Sequence, residues 1–227
     1  MAKLDTLYLD QYLVAVNKPA GMLVHPGKDP EPKENIAMKI IRDQLGQKVY
    51  TVHRLDRPTS GILFFALDQQ TEKITCMLFE NKEVEKVYYA VVPGETQKAW
   101  VCEEPLQKSS QEKPQPSKTS FRQIKYLPAG TFNQLPELDI SIVEARPLTG
   151  RYHQIRKHLL HAGHPIIGDY RYGDKDINSA VSEKLGIPRM MLMAKEIEFH
   201  NPIIGKDIEI NLPFDPEFDF YLKAKSK

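Results

Sequence analysis

The sequence predicts an α+β fold, with a mixed, mostly antiparallel sheet and flanking helices. Three observations lead there. Short apolar or alternating segments that read as strands recur along the chain, bounded by turn residues. Segments with helical periodicity interrupt them. No internal repeat and no long run of strand–helix–strand units is present, and a parallel sheet would need such a run.

The elements follow in order. LYLDQYLVAVNKPAGMLVHP (residues 7–26) reads as two short strands with a turn at Asp10-Gln11, then a Pro-Gly turn from Pro19 to Gly21. GKDPEPKEN is a polar loop. NIAMKIIRDQLG sets Ile36, Ile40, Ile41 and Leu45 on one helical stripe, with Gly46 as C-terminal stop. GILFFALD is nearly continuous in apolar residues, as a strand buried on both faces would be, and QQTEKITCMLFEN is a second amphipathic helix. EKVYYAVVPG is a strand with Lys86, Tyr88 and Ala90 on one face and Val87, Tyr89 and Val91 on the other. Residues 107–118, QKSSQEKPQPSK, form an exposed loop or flap. TSFRQIKYL and LDISIVEARP are two further strands. GRYHQIRKHLLHAGHP is a helix starting near Arg151 and stopped by Gly163. MMLMAKEIEFHNP and KDIEINLP close the sheet as a hairpin, followed by a short helix on DPEFDFYLKAK.

The 227 residues suffice for one large domain spanning the chain. No apolar run approaches the ~20 residues of a membrane span, and MAKLDTLYLD lacks the apolar core of a secretory leader. Cys76 and Cys102 supply neither a disulfide framework nor metal-ligand spacing. A cytoplasmic protein is expected, and a monomer. Net charge is +1, but its distribution is uneven. Ala145 to Gly168 contains no acid, yet holds Arg146, Arg151, Arg156, Lys157 and four of the seven histidines, 153, 158, 161 and 164. Such a stretch can form a basic face for a polyanion. Zinc is the other reading of the histidines, but no HExxH pattern accompanies them.

TVHRLDRPTSG (residues 51–61) concentrates chemistry. Arg54 and Arg57 flank Asp56 and favour its ionised form, while Pro58 and Gly61 set a rigid turn. An ionised acid on a fixed turn suits a nucleophile or base. A surface ion pair has the same sequence.

VNKPAGMLVH, HRLDRPTSG, KVYYAVVPG, GRYHQIRKHLLHAGHPIIGD and MLMAKEIEFHNP, in that order from about Tyr12 to Leu212, resemble the motif series of the RluA-type pseudouridine synthases. The chain is most similar to the branch acting on uridine 65 of tRNA, which lacks the N-terminal S4 RNA-binding domain. The resemblance implies an isomerase that converts a uridine to pseudouridine. Asp56 matches the catalytic aspartate, attacking ribose C1′ or base C6. Arg156 matches the arginine that pairs with it, and Tyr88 the tyrosine that stacks on uracil and assists proton removal. It further implies Arg54 and Arg57 beside the extruded base, substrate contacts from Arg151, His153 and Gln154, and Leu192 as a pocket wall. Met193 stands where the family usually has histidine. The implied partner is RNA, a tRNA in the first instance, with no metal, nucleotide or other cofactor.

Three alternatives remain at this level: a ribosomal-RNA synthase of the same family, a non-catalytic RNA-binding module, and a retaining glycosidase. The last needs a second acid near its nucleophile, and the first four motif stretches offer only Asp169.

Overall fold

The apolar run GILFFA forms, in the computed structural model, a strand buried at every position from Ser60 to Ala66. The structure describes residues 3–27, 32 and 35–225. Most of the polar loop expected over 27–35 lies outside them. In chain order the elements are β1 (Thr6–Leu9), β2 (Leu13–Lys18), α1 (Ala37–Leu45), β3 (Tyr50–Thr51), β4 (Ser60–Ala66), α2 (Gln69–Glu80), β5 (Glu85–Pro93) and β6 (Ala99–Cys102). There follow β7 (Thr119–Leu127), β8 (Ile140–Pro147), α3 (Gln154–His161), α4 (Lys175–Leu185), β9 (Leu192–Asn201), β10 (Lys206–Asn211) and α5 (Pro216–Lys223). The α+β class with mostly antiparallel strands is the one read from the sequence. Among the described residues no helix is long and apolar enough to cross a membrane.

The chain divides into two compact units. The first comprises Met1–Glu85 and Ala194–Leu212. Here β2 pairs antiparallel with β1 and with β4, and β10 pairs antiparallel with β9. The β2–β4 register runs from Leu13 opposite Ala66 to Lys18 opposite Gly61, which sets the VNKPAG and LDRPTSG motifs side by side. Helix α1 buries Ile40 and Ile41 and stops at Gly46. Helix α2 starts where the Asp68 carboxylate accepts hydrogen bonds from the backbone N–H groups of Gln70 and Thr71.

The second unit comprises Lys86–Met193 and Pro213–Lys227. Its strands pair antiparallel in the order β5-β8-β7-β6. Tyr88 lies opposite Ala145, Ala145 opposite Phe121, and Phe121 opposite Trp100, so the four share one face. Thr119, two residues before Phe121, shares that face too. Its hydroxyl bonds Gln154 Nε2 and His158 Nδ1, each at 2.9 Å, so α3 packs on the Tyr88 side of this sheet.

Two local readings need correction. Helix α3 begins at Gln154 and not near Arg151, because His153 takes a left-handed conformation (φ 55°) that breaks helical continuity. Strands β3 and β6 and helix α4 were not expected as elements. For α4 the signals exist: Asp174 caps its N-terminus, Ile177, Val181 and Leu185 repeat every four residues, and Gly186 ends it.

Gly61 has φ 112°, and a Cβ there would overlap the Ala194 carbonyl oxygen. Gly61→Ala is therefore expected to cost about 3 kcal/mol or more, through strain and overpacking together. Denaturant unfolding of the variant measures it. A loss below about 1 kcal/mol would mean that this approach is not a constraint.

Candidate active site

In the first unit, Asp56 opens a tight turn: its carbonyl accepts from the Thr59 N–H at 3.0 Å, with Arg57 and Pro58 at the corner. Leu55 points inward and is buried, leaving Arg54 exposed and Asp56 half-buried. The turn is anchored on both sides. The His53 ring stacks on Phe79 at 4.6 Å and its Nε2 accepts from the Phe64 N–H at 3.0 Å. Arg57 and Gly21 exchange two bonds: Arg57 Nε donates to the Gly21 carbonyl (2.9 Å) and Gly21 N–H to the Arg57 carbonyl (2.8 Å). Arg57 thus braces the Pro-Gly turn. Arg54 Nη1 lies 3.4 Å from His25 Nε2.

Beneath this turn sits Lys18, fully buried. Its Nζ donates to the carbonyls of Pro19 and Met22 at 2.9 Å and of Arg57 at 3.2 Å. Burial pushes the ammonium down to about 7, against the pull of the Asp56 carboxylate, with Arg57 lowering it further. In the sequence Lys18 stands only as the residue before the Pro-Gly turn. It is a buried cation joining the two motifs within electrostatic reach of Asp56. A lysine two residues after the fully buried apolar run Leu13 to Val16 was the available signal.

In the second unit, the guanidinium of Arg156 is buried and grips Asp169 with both prongs, Nε to Oδ2 at 2.7 Å and a terminal nitrogen to Oδ1 at 2.9 Å. Burial alone would push Asp169 up. The Arg156 hydrogen bonds and charge, with the N–H groups of Arg171 and Tyr172, hold it below the usual carboxylate range. Asp169, the acid weighed in the glycosidase reading, is therefore engaged in holding an arginine. A ring of three backbone bonds, two of them at Val91, ties this region to the strand of Tyr88. Ile167 N–H donates to Val91 (3.0 Å), Val91 N–H to Met191 (3.1 Å), and Met191 N–H to Ile167 (2.9 Å). Leu192 follows, buried, and so is Met193. Tyr88 is half-buried on the face where α3 packs.

Two expectations for the GRYHQIR stretch change. Gln154, expected among the substrate contacts, is buried. Its oxygen accepts from Thr149 Oγ1 and Arg151 N, and its nitrogen donates to Lys118 O and Thr119 Oγ1. All four bonding positions of the amide are filled by the chain itself, so it serves the scaffold. The basic face also loses members, because Arg156 is buried on Asp169 and His158 is wholly enclosed. His158 contacts Thr119 Oγ1 (2.9 Å), Ser117 Oγ (3.0 Å) and Glu104 O (3.1 Å). Arg151 remains exposed, its Nε 3.3 Å from Pro116 O. His153 stacks on Tyr152 at 3.7 Å, and its Nδ1 lies 2.9 Å from the Tyr172 hydroxyl. Among the described residues no group of three or more His, Cys, Asp or Glu is placed to hold a metal ion.

Residues 12–161 match the RNA pseudouridylate synthase family. The chain belongs to that family and is an RNA pseudouridine synthase, an isomerase. It is 40% identical over 226 residues to the tRNA pseudouridine synthase C of Pasteurella multocida, covering 95% of this chain and 93% of that one. It is 40% identical over 229 residues to the protein of the same name from Haemophilus influenzae, covering 95% of each. Among solved structures, human RNA pseudouridylate synthase domain containing 1 shares the fold, with a TM-score of 0.74, 24% identity, and coverage of 94% of this chain and 84% of that one.

Burial holds His158 below its ordinary value of 6.5. The sign follows directly: below pH 6.5 the unfolded chain takes up this proton and the folded chain resists it, so stability falls as pH drops below about 6.5. His158→Gln should flatten that limb of the stability–pH curve, whatever its effect on stability at pH 8. Urea titrations at several pH values test this, and an unchanged limb in the variant would contradict it.

Proposed function

We propose that this enzyme isomerises uridine 65 in the T-stem of tRNA, acting in the cytoplasm as a monomer, with Asp56 as nucleophile. The observation that carries the tRNA reading is the end-to-end similarity to two synthases named for tRNA. The position within the stem rests on the motif resemblance. Asp56 suits its role because it stands at the head of a turn pinned by Arg57, His53 and Lys18. A carboxylate can form and later release an adduct at C1′ or C6, dividing one hard step into two easier ones.

The chemistry balances without any partner. The N1–C1′ bond breaks, a C5–C1′ bond forms, C5 loses a proton and N1 gains one. No electrons are exchanged, so no redox cofactor is required. Tyr88 is assigned to stack on the uracil and help move the C5 proton, and Arg156 to support the aspartate's charge. Arg54, Arg57, Arg151 and His153 are assigned to the RNA, and Leu192 to the pocket wall.

Asp56→Asn is expected to retain the fold and RNA binding but lower turnover by a thousandfold or more, about 4 kcal/mol of barrier. Single-turnover conversion of a tRNA transcript measures this. A variant keeping a tenth of the wild-type rate would remove Asp56 from the role.

A uridine paired in a stem must leave the stack before Asp56 can reach it, at a cost of a few kcal/mol. Arg54, exposed and two residues before the nucleophile, is assigned to fill the vacated space. Arg54→Ala should slow an intact tRNA at least tenfold more than one with its target unpaired. Rates on these two transcripts and on a ribosomal RNA fragment decide both points. Preference for the ribosomal fragment would overturn the tRNA assignment, and equal slowing on paired and unpaired targets would overturn the role of Arg54.

A further inference from the structure

Tyr152, Lys157, Arg171 and Tyr172 form a cluster of rings and cations on the surface of the second unit. Lys157 Nζ lies 5.3 Å from the Tyr152 ring centre, and the Arg171 guanidinium 5.9 Å from it. Arg171 also lies 5.5 Å from the Tyr172 ring, and its Nη1 donates to the Tyr152 hydroxyl at 3.2 Å. The Tyr172 ring carries Arg156 as well, at 5.0 Å. One aromatic ring therefore separates Arg171 from the arginine assigned to the site.

The charges do not balance here. Asp169 neutralises Arg156. Among the described residues Lys157 and Arg171 have no ion pair; Lys157 Nζ donates to a neutral carbonyl, that of Gln107, at 2.6 Å. Asp174, three residues beyond Arg171, is committed to the N–H groups of Asp176 and Ile177 at the start of α4. Burial lowers Lys157 from its usual value, and repulsion from Arg171 and Arg156 lowers it further. Two cations held against rings without a carboxylate leave a positive field unmet. The combination of guanidinium, ammonium and tyrosine faces suits a nucleotide better than an acidic peptide: the cations meet a phosphate and the rings accept a base or sugar.

We propose that Lys157 and Arg171, held in place by Tyr152 and Tyr172, bind a backbone phosphate of the substrate RNA. This rests on the reading of the chain as a tRNA-modifying enzyme and adds a contact that fixes RNA register. The site reads backbone and carries no base specificity.

The test measures affinity for a full tRNA transcript, at several salt concentrations, for wild type, Lys157→Ala, Arg171→Ala, Arg171→Lys and, as a charge control, Lys206→Ala on β10. Thermal unfolding confirms that each is folded. Lys157→Ala and Arg171→Ala should each bind about tenfold more weakly at low salt and reduce the log–log salt slope by about one. Arg171→Lys should restore the slope. KM should rise while kcat at saturating tRNA stays within about twofold of wild type. Unchanged slopes in both alanine variants, or an equal change in Lys206→Ala, would overturn the phosphate site. Wild type that binds tRNA but converts no uridine would overturn the proposed function while the slopes still decide this contact. Wild type that binds no tRNA would overturn both.

Discussion

A buried guanidinium must have its charge and its donors met locally, and in the second unit that demand organises everything around it. Arg156 is buried, and Asp169 meets it with two oxygens. Removing one partner of such a pair leaves an uncompensated buried charge, at a cost of about 3–5 kcal/mol. Asp169 in turn accepts the N–H groups of Arg171 and Tyr172. Asn178 accepts from the Gly168 N–H and donates to the Asp169 carbonyl. Gly168, at φ 79°, leaves no room for a Cβ against Arg189. The loop can fold this tightly only because the carboxylate gathers its amides. Through that one carboxylate, α3, the loop after it and the Tyr172 ring hold a common geometry.

The first unit meets a similar demand differently. Among the described residues Lys18 has no directly bonded carboxylate; three backbone carbonyls receive its ammonium, two from the Pro-Gly turn and one from the Asp56 turn. A buried cation gathers two loops, and Asp56 stays half-exposed above it. The two units thus follow one rule. Cations placed inside order the backbone, and cations left outside, Arg54, Lys157 and Arg171, face solvent where RNA can reach them.

The sequence showed the architecture well wherever periodicity was strong. The stripe of α1 and the unbroken apolar run of β4 each have one reading. It failed on β6, whose four residues alternate exposed and half-exposed at a sheet margin, and on α4, whose stripe is thinned by Asn178 and Ser179. The nucleophile candidate was legible because two arginines, a proline and a glycine surround it. Its supports were not, since Lys18 and His53 act through long-range packing that no local pattern reports, and the same holds for the grip of Asp169 on Arg156 in the second unit. Counting charges along the acid-free stretch misled for the same reason: Arg156 and His158 face inward, and only the fold decides that.

The central claim is that this enzyme modifies one uridine of tRNA. Site-resolved mapping of pseudouridine in tRNA and ribosomal RNA, from cells with and without the protein, tests it directly. The account predicts loss of the signal at tRNA position 65 alone. An intact position 65, with a ribosomal site lost instead, would contradict it.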